Sequence, residues 1–174
     1  MATKEGKSIR FDENQVRPTG RRTKGVRGIM LGTSDEVIGM LIAKREGSVL
    51  VASENGYGKR SHLEEYRIQS RGGKGVYTMK KTHKTGALVT ILEAIDDDDL
   101  MIITTQGVMI RQNVNAIRII GRNTQGVRLL RLDDNSKISS VTKVIKDPED
   151  PEDHEQDEHS QGSPETPEEP TTEE

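Results

Sequence analysis

The chain has 174 residues, 30% of them hydrophobic, with one Phe, no Trp and 17 Gly, a composition that suits many short strands and tight turns better than a large helical core. It has no Cys, which excludes a disulfide framework and a thiolate metal site, and no stretch has the length and apolarity of a membrane span or the layout of a signal peptide, so a soluble intracellular protein is the expectation. The net charge of −3 hides an asymmetry: residues 147–174 hold 13 acidic residues, no Lys or Arg and five of the six Pro, whereas residues 1–146 hold all 26 Lys and Arg against 16 acidic residues, a charge of +10. A folded basic domain at 1–146 and a disordered acidic tail at 147–174 follow, because the tail has too little apolar surface to offset the entropy of ordering it. A basic body points to a polyanion partner, and a tethered acidic tail is expected to compete for the same surface.

In chain order, three sets of segments repeat. Residues 1–6, 51–56 and 102–107 are β-prone runs that end on Gly6, Gly56 and Gly107, spaced 50 and then 51 residues apart. Lys24-Gly25-Val26, Lys74-Gly75-Val76 and Gln125-Gly126-Val127 keep that register, as do residues 37–43, 87–92 and 138–144. The extra residue in the second spacing falls between the turns at 44–47 and 95–99. The middle unit reads as four strands, at 37–43, 48–53, 59–66 with a break, and 76–80, with Asn55-Gly56 as a type I′ hairpin turn. No segment carries a sustained helical period. Four short strands per unit of this length predict an all-β, propeller-like array of four-stranded blades. Met1 falls inside a strand whose first partner is missing, which gives one partial unit, two complete units and a closing strand at 138–145. An array of this kind buries its core only by stacking neighbours, and a truncated one is expected to be less stable than the whole.

The register aligns basic residues into columns: Arg10, Arg60 and Arg111; Arg17, Arg67 and Arg118; Arg21, Arg71 and Arg122; and Lys24 with Lys74, where Gln125 is the exception. Lys59 adds a further cation. Equivalent positions of a repeat share a face, so the columns predict a positive stripe of exposed strand-edge charges along the array, well suited to phosphate oxygens. Aromatic residues are limited to Phe11, Tyr57, Tyr66 and Tyr77, which disfavours the base stacking used for single strands and RNA loops. Duplex DNA held by its backbone and bent along a curved surface fits better, and without a recognition helix base-specific readout is not expected.

Asn55-Gly56-Tyr57-Gly58-Lys59-Arg60, Lys24-Gly25-Val26-Arg27-Gly28-Ile29 and Gly121-Arg122-Asn123-Thr124-Gln125-Gly126-Val127 resemble the last repeats of the DNA gyrase A C-terminal domain, a likeness that runs through about residues 1–145. The resemblance implies a six-bladed β-pinwheel whose blades exchange strands and whose basic rim wraps DNA. It also implies a parent enzyme that is an A2B2 type IIA topoisomerase of gyrase A and gyrase B subunits, bacterial, cytoplasmic and nucleoid-associated, introducing negative supercoils with ATP and Mg2+ bound elsewhere. Gln69-Ser70-Arg71-Gly72-Gly73-Lys74-Gly75 looks like a variant of the family's Q-R-R-G-G-[RK]-G box, with Ser70 in place of the first Arg. Independently of that likeness, Gly72, Gly73 and Gly75 would let backbone N–H groups approach a phosphate beside Arg71 and Lys74.

Other features carry less. The run at 96–99 lacks calcium-loop spacing and is expected to be a solvated turn. His62 and His83 have no metal-ligand spacing, and His154 and His159 lie in the tail. No nucleophile, base and orienting group cluster, so neither a catalytic site nor a bound cofactor is expected in this chain. Two rivals to a gyrase DNA-wrapping module stay open: the corresponding domain of the related topoisomerase IV, and a propeller-type protein-interaction platform that docks through its acidic tail.

Overall fold

The computed structural model describes residues 1–43 and 47–144. The tail at 147–174, and Ile145 at the end of the closing strand, lie outside the described residues. The elements are β1 (Ala2–Thr3), β2 (Lys7–Ser8), β3 (Val37–Gly39), β4 (Ser48–Ser53), β5 (Tyr57–Ser61), β6 (Val76–Tyr77), β7 (Leu88–Ala94), β8 (Asp99–Thr104), β9 (Met109–Asn113), β10 (Val127–Arg128) and β11 (Ile138–Val144), with single 3-10 turns at Glu13–Gln15, Leu63–Glu65 and Val114–Ala116. These turns follow β2, β5 and β9, and the middle one supplies the break expected within 59–66. The first and third are capped from the preceding side chain, Asp12 Oδ1 accepting from Asn14 N at 2.9 Å and Asn113 Oδ1 from Asn115 N at 2.8 Å.

All pairing is antiparallel within three sheets, ordered β3-β1-β2-β6, β7-β4-β5-β10 and β11-β8-β9. The sheets are therefore out of phase with the sequence units. Strands β3 and β6 flank the middle hairpin in sequence, yet both belong to the first sheet; the second sheet takes β7 and β10 from further along. Four consecutive strands do not make one blade. Each hairpin instead receives its outer strand from the following repeat, which is the strand exchange that the family likeness implied. The partner expected to be missing from β1 is β3, so the first sheet has four strands and the third has three.

The apolar run of β4 shows why the sheets stack. Val49 and Val51 pack in a cluster with Ala2, Tyr57, Tyr66, Met79 and Ile91, toward the first sheet. Leu50 and Ala52, on the other face, pack with Leu100, Ile102, Val114, Ile117 and Val141 of the third. Alternating side chains point to opposite faces of a strand, and here both faces are buried, so the run shows no polar alternation. Leu50 is completely buried, and trimming it to Ala would cost about 2–5 kcal/mol.

The hairpin turns differ from the expected type I′. Among the described residues Asn135 is the one non-glycine with positive φ, so Asn55 keeps an ordinary backbone, while Gly6, Gly56 and Gly107 sit at φ 83°, 81° and 80°. Gly56 N donates to Ser53 O at 3.2 Å, closing a turn whose last residue is left-handed. Asn55 Nδ2 is committed elsewhere, donating to His83 O at 3.1 Å and Lys84 O at 3.3 Å.

Candidate nucleic-acid interface

The junction between sheets sets the position of most cations in the columns. Segment 67–79 runs along the β2 edge of the first sheet: Gln69 N donates to Arg10 O at 2.8 Å, Arg10 bridges Ile68, and Thr78 N donates to Gly6 O at 2.8 Å. Segment 118–130 repeats this on the β5 edge, with Arg60 bridging Ile119 and Leu129 N donating to Gly56 O at 2.8 Å. Arg10, Arg60, Arg67, Arg71, Lys74, Arg118 and Arg122 sit on or across these two seams, whereas Arg111 lies on the edge strand β9 and Arg17, Arg21 and Lys24 lie between the first 3-10 turn and β3.

The first column is split: Arg111 is exposed on the edge strand β9 as expected, whereas Arg60 and Arg10 are not on an exposed edge. Arg60 is 4% exposed; its Nε donates to Ile117 O at 2.8 Å and its Nη1 pairs with Asp96. Arg10 makes the equivalent reach, Nη1 donating to Leu63 O at 3.1 Å and Tyr66 O at 3.3 Å. Arg111 pairs through Nε with Asp99 Oδ2 at 2.7 Å. The run at 96–99 is accordingly not a purely solvated turn. Asp98 and Asp99 are buried; Asp98 Oδ2 accepts from Ile95 N at 3.0 Å, and Asn113 Nδ2 donates to Asp99 Oδ1 at 3.0 Å.

Lys59 is fully buried as well. Its Nζ donates to Gly121 O at 2.7 Å, to Thr124 Oγ1 at 3.1 Å and to Arg122 O. Burial pushes its pKa down to about 8, opposed by Glu65 and assisted by Arg122. Its register equivalents are Ile9 and Ile110, so this cation serves one junction only.

The third column clamps neighbouring connections. Arg71 donates through Nε to Gln15 O at 3.0 Å and through Nη1 to Arg27 O at 2.6 Å; Arg122 donates through Nε to Glu65 O at 3.2 Å and through Nη1 to Tyr77 O. Arg21 is exposed. The box-like loop spends its amides inside the chain: Arg71 N donates to Gln15 Oε1 at 2.7 Å, Gly72 N to Gly28 O at 2.8 Å and Gly73 N to Ser70 O at 3.4 Å. Those three N–H groups are not free for a phosphate. Gln69 Nε2 is buried without a hydrogen-bond partner, and Gly75 sits where a Cβ would lie 2.5 Å from Ser8 O. The loop's glycines answer to close packing of one segment on the next.

The second and fourth columns remain. Arg17, Arg67 and Arg118 are exposed, as are Lys24 and Lys74, and among the described residues their side chains make no hydrogen bond, ion pair or ring contact. Arg67 and Lys74 flank the seam on the first sheet, and Arg118 stands at the corresponding point of the second. Lys80 and Arg131 are exposed and unpaired too and share a register position with Met30, a partial column that the repeat carries outside the four named above. Arg22 and Arg27 are likewise exposed; Arg27 shares its register position with Tyr77 and Arg128, whereas no repeat of charge marks Arg22. Arg128 is held by Tyr57, its Nη2 donating to the phenol oxygen at 2.9 Å, and this hydrogen bond lowers the pKa of Tyr57.

A family model described as the DNA gyrase C-terminal domain, beta-propeller, matches residues 1–44, 47–92 and 98–145. The chain belongs to this family. It is 43% identical over 134 residues to the A subunit of DNA gyrase from Escherichia coli (strain K12), covering 77% of this chain and 15% of that protein. It is 45% identical over 143 residues to the A subunit of DNA gyrase from Staphylococcus aureus (strain MRSA252), covering 81% of this chain and 16% of the relative. A solved DNA gyrase A C-terminal domain superposes with a TM-score of 0.76 at 32% identity, over 83% of this chain and 49% of the other. The C-terminal domain of DNA topoisomerase IV superposes with a TM-score of 0.77 at 28% identity, over 82% of this chain and 45% of the other. This gyrase A C-terminal-domain chain is all-β and propeller-like, and among its described residues no helix is long and apolar enough to cross a membrane.

Proposed function

We propose that the chain is a duplex-DNA-binding and wrapping module of a gyrase-type topoisomerase. The observation that carries this is the set of five unpaired cations, Arg17, Lys24, Arg67, Lys74 and Arg118, repeated in register on an exposed surface, with Arg67, Lys74 and Arg118 at the two sheet junctions. Charges that recur in register with no internal partner form a track that a phosphate backbone can follow. Buried Arg60 and Lys59, and the clamps Arg71 and Arg122, hold that track together from inside. In the parent enzyme, an assembly of two gyrase A and two gyrase B subunits in the bacterial cytoplasm and nucleoid, the module would bend DNA toward strand passage. ATP and Mg2+ would act in other parts of that enzyme, with no catalytic step on these residues.

If each of the five cations meets one phosphate, the log–log dependence of DNA affinity on salt should have a slope of about −4.5. Duplexes of scrambled sequence should bind alike. A preference of about a hundredfold or more for one sequence would overturn backbone recognition, because that is about 2.7 kcal/mol, the worth of one to three good base contacts. The similar superposition on topoisomerase IV favours one alternative parent. Replacing the corresponding domain of each enzyme with this chain separates the two: a gyrase module restores supercoiling to gyrase, and a topoisomerase IV module does not.

A further inference from the structure

Lys7 and Tyr77 face each other across the first seam, and Tyr57 and Arg128 across the second. In register, Lys7 corresponds to Tyr57 and Tyr77 to Arg128. Each seam therefore carries a cation and a tyrosine in the same cross-strand pair, with the two sides exchanged. The partners are in contact at both seams: Lys7 Nζ lies 5.8 Å from the centre of the Tyr77 ring, and the Arg128 guanidinium carbon 5.6 Å from that of Tyr57. A cation–aromatic pair of this kind supports the strand pairing whichever side the cation is on.

The exchange changes what each seam shows to the outside. Strands β3 and β11 lie against β7 and form the inner wall, and β6 and β10 are the strands at the opposite, outer side of their sheets. At the second seam the outer member is the cation: Arg128 is exposed, and Tyr57 is 7% exposed beneath it. At the first seam the outer member is the aromatic: Tyr77 is 51% exposed, beside a half-buried Lys7. Arg27 holds the same register position in the first repeat and is exposed, so a phenol interrupts a column of guanidinium groups. Exposure belongs to the outer strand itself, because Arg128 lies on the middle sheet, with a sheet on either side, and is exposed all the same.

The hydroxyls of the three tyrosines are used differently. Tyr57 accepts from Arg128 Nη2 at 2.9 Å and Nε at 3.3 Å, and Tyr66 shares a hydrogen bond of 2.7 Å with Thr78 Oγ1. The Tyr77 hydroxyl has no hydrogen-bond partner among the described residues, since its one side-chain contact is that of Lys7 with the ring. A phenol O–H donates to a phosphate oxygen much as a guanidinium N–H does. It carries no charge, displaces no counterion, and so adds affinity that does not vary with salt.

We infer that Tyr77 is a neutral phosphate ligand on the outer strand of the first seam, donating its hydroxyl to a backbone oxygen of bound duplex DNA where Arg27 and Arg128 present a guanidinium. The assignment rests on the DNA-binding reading given above. It adds to the five unpaired cations a contact that a search for repeated charge passes over. Lys7 has the supporting part: its ammonium against the ring holds the phenol in place from the inner strand.

The test uses the whole chain and a duplex of random sequence, with affinity measured across a salt series. Tyr77→Phe keeps the ring and its contact with Lys7 and removes one oxygen. It should bind about tenfold more weakly at every salt concentration with the same log–log slope, tenfold being the low end of what a hydrogen bond to a charged acceptor contributes. Tyr77→Arg should recover the affinity of the parent at low salt and steepen the slope by about 0.9. Nitration with tetranitromethane reads the contact directly: Tyr57 and Tyr66 are 7% and 4% exposed against 51% for Tyr77, so Tyr77 should be the reactive tyrosine and bound duplex should protect it. Parental affinity in Tyr77→Phe, a loss accompanied by a shallower slope, or equal nitration of Tyr77 with and without DNA would each remove Tyr77 from the interface while leaving the cation track standing. A parent chain that binds no duplex would overturn the track and this assignment together.

Discussion

Arg60 and Arg67 come from the same repeat and occupy opposite environments. Arg60 is buried with its guanidinium spent on Ile117 O and Asp96, and Arg67 is exposed with no partner among the described residues. Both belong to columns that recur through the chain. Recurrence in register therefore marks any task done once per junction, whether holding the junction or serving a ligand, and burial separates the two. An Arg inside a seam offers its fork to backbone carbonyls that would otherwise lie buried without donors. An Arg outside it offers the same fork to solvent or phosphate.

The sharpest way to break this contrast is Arg60→Ala. It removes the donor to Ile117 O and leaves a void between the second and third sheets, at a cost of about 3 kcal/mol. Urea unfolding should show that loss in the midpoint, while DNA affinity of the still-folded fraction stays near that of the parent. If stability is unchanged and affinity collapses, Arg60 belongs to the DNA surface and the assignment is reversed. The complementary change, Arg17→Gln with Arg67→Gln and Arg118→Gln, should leave stability within about 0.5 kcal/mol per site and flatten the salt slope by about 3. An unaltered slope would remove these three residues from the interface.

Arg71→Lys sharpens the middle case. An ammonium cannot reach Gln15 O and Arg27 O in the forked manner of the guanidinium. A loss of about 1 kcal/mol is expected in thermal or urea unfolding, with the net charge and the salt slope kept. A lower slope at unchanged stability would mean that Arg71 serves DNA rather than the seam.

The repeat made the strands, the turns at Gly6, Gly56 and Gly107 and the membership of the basic columns legible in the sequence, because each is a local pattern. The pairing was not. Nothing in residues 37–43 or 76–80 says that both strands leave the middle hairpin for the first sheet, since that choice is made by stacking across repeats. The depth of each column depends on the same pairing, so sequence alone reads Lys59 and Arg60 as surface charge. A small signal does exist at position 59: its counterparts Ile9 and Ile110 are apolar, as an inward-facing position would be. The difference between the box-like loop's glycines and a phosphate cradle is also hidden, because the acceptors of its amides come from residues far away in sequence, Gln15 and Gly28.

Lys59 gives the smallest effect and the one that isolates a buried cation most cleanly. Its pKa in the folded chain is about 8, down from 10.5 in the absence of burial. Between those two values the unfolded chain binds the proton and the folded chain has released it. Stability should therefore rise with pH across that window and level off above it, the opposite of what a salt-bridged lysine would show. The hydrogen bonds from Nζ to Gly121 O, Arg122 O and Thr124 Oγ1 replace part of the lost hydration, so the rise is on the order of 1 kcal/mol rather than the full value of the displacement. Other groups also change charge over that range, and Lys59→Met removes only this one. The difference in unfolding free energy between parent and variant, measured at several pH values from 7 to about 10, should move in favour of the parent by that amount. A difference independent of pH would mean that Lys59 keeps its proton in the folded chain, held as a charged staple between the second sheet and the 121–124 loop.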